Sequence, residues 1–327
     1  MLPPIVVGIT GTNGKSTTTA LIHHILKTAG VPTTMGGNIG LPILAQDPLP
    51  EGGVYVLELS SYQIDLTRNL DCEVAVLLNI TPDHLDRYDS FTAYELSKER
   101  LFEMQSRQNV RVIAEDDVRC DEFVNRLLHD LEWAGKRGAR QFNGGSIKDQ
   151  SRWPALQGPH NASNTAAAMA VAEELGVRPD AVEEALRTYP GLPHRMERIR
   201  EKDGVLFVND SKATNPTATA PALAAFPSIR WILGGQAKTD DLDECAPHFG
   251  HVRSAYTIGE AGELFAKLLA PHMPVANCET LENALDHATE DSQPGDTVLL
   301  SPACASFDQF RDFEQRGDRF RDLVGAL

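Results

Sequence analysis

The sequence predicts an α/β fold built on a largely parallel sheet, and two observations carry that expectation. Short apolar runs rich in β-branched residues recur at Ile5-Val6-Val7, Val54-Tyr55-Val56-Leu57, Val74-Ala75-Val76-Leu77-Leu78, Val205-Leu206-Phe207-Val208, Ile229-Arg230-Trp231-Ile232-Leu233 and Val298-Leu299-Leu300, and they alternate with stretches of helical spacing. Strands this apolar suit a sheet covered by helices on both faces.

Taken in order, the first run leads into the glycine-rich segment Gly8 to Gly14. Leu21, Ile22, Ile25, Leu26 and Ala29 then fall at helical spacing, with Gly30 and Pro32 as stop signals. The second run ends in Glu58, and the third leads to Asn79-Ile80-Thr81-Pro82-Asp83-His84-Leu85-Asp86. At Tyr189-Pro190-Gly191-Leu192-Pro193 two prolines and a glycine interrupt a helix-like stretch before a new strand-helix series begins. A chain of 327 residues has room for about two domains, and the expected division is 1–191 and 192–327.

The formal charge of −16 argues against phosphate-backbone binding, because a polyanion is repelled by most of such a surface, so no nucleic-acid partner is expected. No apolar run approaches the roughly 18 to 20 residues that span a bilayer, and Met1-Leu2-Pro3-Pro4 opens no signal-like segment. A cytoplasmic protein without a membrane partner is the expectation. Cys72, Cys120, Cys245, Cys278 and Cys304 are scattered, odd in number and form no C-x-x-C pair, which suits reduced thiols.

Gly8-Ile9-Thr10-Gly11-Thr12-Asn13-Gly14-Lys15-Ser16-Thr17 follows a strand and opens a helix, the setting in which backbone N–H groups cradle a nucleotide's phosphates. Lys15 would lie along the β- and γ-phosphates and Ser16 would offer its hydroxyl to Mg²⁺. The general G-x-x-x-x-G-K-[ST] pattern has glycine where this chain has Ile9, so the loop is a variant; a chance glycine turn is the plain alternative. Glu58, at a strand's carboxyl end, is within reach of such a metal, or is simply a surface acid. Thr81 as N-cap and Pro82 at the first helical position predict a helix opening there, with His84 in its first turn as a ligand or an ordinary histidine.

Six segments now stand in order: Gly11-Thr12-Asn13-Gly14-Lys15-Ser16, Gly36-Gly37-Asn38-Ile39-Gly40, Asn79 to Asp86, Gly158-Pro159-His160-Asn161, Asn209-Asp210-Ser211-Lys212-Ala213-Thr214-Asn215 and Leu300-Ser301-Pro302-Ala303-Cys304-Ala305-Ser306. In that order the chain resembles the Mur ligases over essentially its whole length, and the last two segments look most like members that add D-glutamate to UDP-N-acetylmuramoyl-L-alanine. The resemblance implies a P-loop central ATPase domain with a mostly parallel sheet, followed by a smaller Rossmann-like α/β domain. It implies an ATP-dependent amide ligase of peptidoglycan precursor synthesis, working through an acyl phosphate as a monomer.

Residue by residue, the resemblance assigns Gly11, Thr12, Asn13, Gly14, Lys15, Ser16 and Thr17 to the ATP phosphates. Ser16, Glu58, His84 and Lys98 go to two Mg²⁺ sites, with Lys98 carried as a carbamate that turns a cation into an oxygen-donor anion. Asn161 and Asp210 match adenine- and ribose-facing positions, and Arg195 and Lys212 match cations directed at ATP and the acyl phosphate. Asn38 matches a contact to the sugar-nucleotide substrate or phosphates, and Thr214, Lys238, Ser306 and the backbone near Phe313 match D-glutamate contacts.

Each residue has a plainer reading beside this one. Lys98 alone would be an exposed helix lysine, Asn161 a polar residue of a helix N-cap region, Arg195 a surface cation and Asp210 with Lys212 an exposed turn pair. Ser306 would be a loop or cap residue and Phe313 a core aromatic. The family usually carries a further N-terminal domain for the UDP moiety, whereas this sequence starts at the strand before the phosphate loop. Weak affinity for the nucleotide sugar is therefore expected, and the activity of the chain by itself stays open. Two rivals remain: a neighbouring Mur or folylpolyglutamate-type ligase, and a nucleotide-binding module without ligase activity.

Overall fold

The computed structural model describes residues 4–83, 87–129 and 139–327. The chain divides into two compact units, Met1–Tyr189 and Pro190–Leu327.

In the first unit the strands are β1 (Ile5–Thr10), β2 (Thr33–Gly37), β3 (Val54–Glu58), β4 (Val74–Leu77), β5 (Val110–Ala114) and β6 (Ala139–Phe142). They form a six-stranded sheet in the order β2-β3-β1-β4-β5-β6, and every neighbouring pair is parallel. Helices α1 (Lys15–Thr28), α2 (Ser61–Leu66), α3 (Phe91–Glu103), α4 (Val118–His129), α5 (Pro159–Glu174) and α6 (Pro179–Thr188) complete the unit. Because β1 lies between β3 and β4, the connections leaving those strands part to either side of it, and the crevice at their carboxyl ends is where such sheets take ligands. Register fixes the neighbours there: Ile9 lies opposite Glu58, and Thr10 opposite Leu77.

The second unit contains β7 (Glu197–Lys202), β8 (Val205–Asn209), β9 (Ile229–Gly234), β10 (Val252–Ile258), β11 (Val275–Glu279) and β12 (Thr297–Leu300), with α7 (Pro216–Ala225), α8 (Gly262–Leu269), α9 (Leu281–Glu290) and α10 (Phe313–Ala326). Its sheet runs β11-β10-β9-β12-β8-β7, parallel except for the edge strand β7. Alternate residues of β9 and β12 feed two apolar clusters, one with Trp231, Leu233 and Leu299 and the other with Ile232, Val298 and Leu300. That two-sided burial is why these strands read as continuous apolar runs.

One local expectation is corrected. Pro82 and Asp83 are not helical, so no helix opens at Thr81; α3 starts instead at Phe91, where the Ser90 side chain accepts from the Ala93 N–H. Thr81 is occupied otherwise: its backbone N–H donates to Thr12 Oγ1 at 3.0 Å, and Thr12 Oγ1 donates to the Thr81 carbonyl at 3.1 Å. Among the described residues no helix is long and apolar enough to cross a membrane.

Candidate active site

The loop between β1 and α1 is held from β4. The Asn79 carbonyl accepts from the Thr12 N–H at 3.0 Å, and its Oδ1 accepts from the Thr12 and Asn13 N–H groups at 3.1 and 2.8 Å. Gly14 closes the loop at φ 82°, a left-handed conformation, and a Cβ there would lie 2.2 Å from Asn164 Oδ1 on α5. Glycine is thus required both by the backbone and by the close approach of α5. The same Asn164 oxygen accepts from Thr18 Oγ1 at 3.3 Å, while Asn164 Nδ2 donates to Asn161 Oδ1 at 3.2 Å. Asn161, buried in the first turn of α5, is thereby tied to the helix that the phosphate loop opens.

Two lysines converge on one carbonyl. Lys15 Nζ donates to the Gly11 and Thr12 carbonyls at 3.0 and 2.9 Å, and Lys98 Nζ donates to the Gly11 carbonyl at 2.9 Å. Tyr94, Lys98, Leu101 and Phe102 share the buried face of α3, so Lys98 occupies a core position and is only 1% exposed. Its ammonium lies 4.4 Å from the centre of the Tyr94 ring, whose hydroxyl is 3.1 Å from Thr12 Oγ1. Burial, and then the nearby Lys15 charge, lower the Lys98 pKa to about 7. The exposed helix lysine of the plainer reading is overturned.

Glu58 is likewise buried, at 2% exposure, and so is not a surface acid. Asn38 Nδ2 donates to Glu58 Oε1 at 3.1 Å, and the Asn38 N–H donates to the Glu58 carbonyl at 2.9 Å. Glu58 Oε2 is buried and has no hydrogen-bond partner among the described residues. A capping box starts α2 directly afterwards, Ser60 Oγ accepting from the Gln63 N–H and Gln63 Oε1 from the Ser60 N–H, which fixes the backbone beyond Glu58. Ser16 and Thr17 are buried in the first turn of α1. His84 lies outside the described residues. Among those described, no group of three or more His, Cys, Asp or Glu side chains gathers to hold a metal.

In the second unit, Asp210 follows β8 and is buried rather than part of an exposed turn. Its Oδ1 accepts from the Met196 N–H at 3.1 Å and its Oδ2 from Ser301 Oγ at 2.8 Å. Burial nevertheless pushes its carboxyl up to about 7, with the Ser301 hydroxyl and Arg195 pulling the other way. Arg195 is half-buried, not a surface cation, and its Nε has no hydrogen-bond partner among the described residues. Lys212 is anchored through its N–H to the His194 carbonyl at 3.0 Å, with its ammonium 5.5 Å from the centre of the Phe313 ring.

The organiser of this region is Arg316, which sequence reasoning missed. Buried to 1% exposure, its guanidinium donates to Ser211 Oγ and the Ser211 carbonyl at 3.0 and 2.9 Å and to the Cys304 carbonyl at 3.0 Å. Ser211 Oγ in turn donates to the Phe313 carbonyl at 2.8 Å. The segment carrying Lys212 and half-buried Thr214, the segment ending at buried Ser306, and half-buried Phe313 are thus joined around one side chain. Gln236 and Ala305 exchange backbone hydrogen bonds at 2.9 Å, which brings in the segment before Lys238. Lys238 itself is exposed and has no ion-pair partner among the described residues. Tyr94, Asn164 and Arg316 each had one faint signal, helical spacing from a motif residue: four before Lys98, three after Asn161 and three after Phe313.

A phosphate-loop α/β unit followed by a second α/β unit with its own polar cluster defines a class, and the family models agree: residues 9–172 match the Mur ligase middle domain and residues 194–304 the Mur ligase glutamate ligase domain. The chain belongs to the Mur ligase family. It is 59% identical over 334 residues to a Novosphingobium aromaticivorans protein named UDP-N-acetylmuramoylalanine–D-glutamate ligase, covering 100% of this chain and 73% of that protein. A Zymomonas mobilis protein of the same name is also 59% identical, over 98% of this chain and 72% of its own length. Among solved structures, a MurF ligase from Thermotoga maritima in complex with ADP aligns with a TM-score of 0.72 at 19% identity, covering 100% of this chain and 82% of that one, which shows a shared fold.

Proposed function

We propose that this chain is an ATP-dependent carboxylate–amine ligase that adds D-glutamate to UDP-N-acetylmuramoyl-L-alanine in peptidoglycan precursor synthesis, in the cytoplasm. The observation that carries the reading is the convergence of Lys15 and Lys98 on Gly11, with a buried Glu58 opposite Ile9 on the neighbouring strand, in a chain 59% identical to ligases of that name.

The chemistry follows from charge. The substrate carboxylate attacks the γ-phosphorus of ATP; a P–O bond to the carboxylate forms as the bond to ADP breaks, giving an acyl phosphate. The D-glutamate nitrogen then attacks the acyl carbon, phosphate leaves with the C–O electron pair, and the amine loses a proton. In the first step two anions meet. The loop N–H groups, the α1 N-terminus and Lys15 bind the triphosphate and stabilise the charge that accumulates. Asn161 holds the base. Asn38 positions Glu58 and faces the sugar-nucleotide substrate or its phosphates.

The buried, unpartnered Glu58 Oε2 suits a hard cation, and Glu58 with Ser16 would hold Mg²⁺, which supplies further screening of the phosphates when bound. A second Mg²⁺ would rest on His84 and on Lys98 carried as a carbamate. Burial, which lowers the Lys98 pKa to about 7, favours the free amine, the form whose nitrogen adds to CO₂. In the second unit Asp210 and Arg195 take the ribose and phosphate side of ATP, and Lys212 the acyl phosphate. Lys238, Thr214, Ser306 and the Phe313 backbone hold the two carboxylates of D-glutamate.

Phosphate release by the full chain tests the reading. It should require UDP-N-acetylmuramoyl-L-alanine and D-glutamate together, and other amino acids should not replace D-glutamate. Equal release with L-lysine or D-alanine would point to another ligase, and release from ATP alone to a nucleotide-hydrolysing module.

A further inference from the structure

Three consecutive acids, Glu115-Asp116-Asp117, follow β5 at the carboxyl edge of the first sheet, and none belongs to the machinery described so far. Their bonds run in opposite directions. Asp117 Oδ1 accepts from the Arg119 and Cys120 N–H groups at 3.1 and 3.0 Å, capping α4, while its Oδ2 accepts from the Ile80 N–H at 3.3 Å. Ile80 stands between Asn79 and Thr81, the two residues that hold Thr12 and Asn13 of the phosphate loop. Asp116 turns the other way. Its Oδ2 accepts from the Gly144 N–H at 3.1 Å and lies 3.5 Å from Ser163 Oγ on α5. Contact is close enough that a Cβ on Gly144 would stand 2.9 Å from the Ser163 nitrogen, two residues beyond Asn161.

We infer that Asp116 and Asp117 are positioning residues that set the two ends of the nucleotide site separately: Asp117 fixes the triphosphate end through the Asn79–Thr81 strap, and Asp116 fixes the base end through the seat of α5. This rests on the ATP-site reading above. Neither carboxylate touches nucleotide in this role. The two residues differ in how many oxygens they use. Asp117 uses both, so Asp117→Asn keeps one acceptor for the α4 cap, where asparagine serves as well as aspartate, and turns an N–H₂ toward the Ile80 N–H. Asp116 uses one, so Asp116→Asn keeps its bonds and only Asp116→Ala loses them. Coulomb's law alone predicts otherwise: deleting a negative charge beside a polyanion tightens or leaves unchanged the binding of that polyanion.

Calorimetry on the full chain with tripolyphosphate and with adenosine as separate probes tests this. Asp117→Asn should weaken tripolyphosphate about fivefold to tenfold and leave adenosine within about twofold, on the scale of one lost positioning contact. Asp116→Ala should weaken adenosine similarly and spare tripolyphosphate, and Asp116→Asn should behave as wild type. Asp117→Ser, whose hydroxyl caps α4 but offers no second oxygen, repeats the Asp117 measurement should the asparagine variant fold poorly. Equal losses of both probes in either variant, or unchanged or tighter tripolyphosphate binding by Asp117→Asn and Asp117→Ser, overturns the inference. If wild-type protein binds neither probe nor ATP, the nucleotide-site reading has failed and this inference falls with it.

Discussion

Replacing Lys98 by methionine removes a charge from the core while keeping a stem of similar length, and the structure sets the size and sign of the result. The gap between the ordinary 10.5 and about 7 corresponds, at 1.36 kcal/mol per pH unit, to on the order of 5 kcal/mol of unfavourable burial when the amine is protonated. The side chain is 1% exposed, so solvent does little to screen it. Between pH 7 and about 10.5 the unfolded chain binds more protons at this site than the folded one, so wild-type stability rises with pH across that window. Below about pH 7 the full cost is present. Gly11 keeps a donor in the variant, because Lys15 bonds the same carbonyl. Urea unfolding at pH 6 to 10 in CO₂-free buffer should therefore find Lys98→Met more stable than wild type by a few kcal/mol at pH 6. The two curves should converge near the top of the range. Parallel curves, or a variant less stable at pH 6, would refute the account of Lys98 as a desolvated cation.

Gly14→Ala places a side chain at φ 82° and a Cβ 2.2 Å from Asn164 Oδ1, so beyond about 1–2 kcal/mol of left-handed strain it must push α5 and the phosphate loop apart. The ATP KM should rise at least about tenfold with the D-glutamate KM nearly unchanged; Asn164→Ala in the same chain should recover part of the loss. Lys238→Ala removes an exposed cation, so unfolding free energy should stay within about 0.5 kcal/mol while the D-glutamate KM rises far more than that for ATP. Equal effects on both substrates in steady-state assays would remove Lys238 from the amino-acid site.

How much the chain disclosed before its structure depended on burial. β1, β3, β4, β8, β9 and β12 lie inside their sheets, and their runs were legible as strands because no residue on either face is exposed. β2 is Thr-Thr-Met-Gly-Gly and β7 is Glu-Arg-Ile-Arg-Glu-Lys, both at sheet edges, where polar residues and glycine give no apolar run. β5 and β10 are interior but interrupted by Arg111 and by Arg253-Ser254, so their periodicity was broken where tertiary packing overrode it. The glycine loop and the acids at strand ends were readable because spacing along the chain carries their chemistry. Their supports were not, since Asp117, Asn164 and Arg316 act on residues 37, 146 and 105 positions away.

Burial also decides between the plain and the chemical readings of the polar residues. Glu58, Lys98 and Asp210 are each 4% exposed or less, and for Lys98 and Asp210 burial displaces the pKa toward the neutral form. Apolar residues of the same volume would pack such positions with greater stability, so a fold selected for stability alone gives no reason to keep them. Glu58 and Lys98 stand at the carboxyl edge of the first sheet, one as the last residue of β3 and the other bonded to Gly11, and Asp210 follows β8 at the corresponding edge of the second. A nucleotide-binding module without ligase activity accounts for Lys15 and Asn161. It gives no role to a second lysine buried against the same carbonyl, nor to the buried Glu58 Oε2, which has no hydrogen-bond partner among the described residues. On the ligase reading proposed above, those two features would serve a reaction between anions, as cationic or cation-holding groups where negative charge builds, held by the fold at a cost in stability.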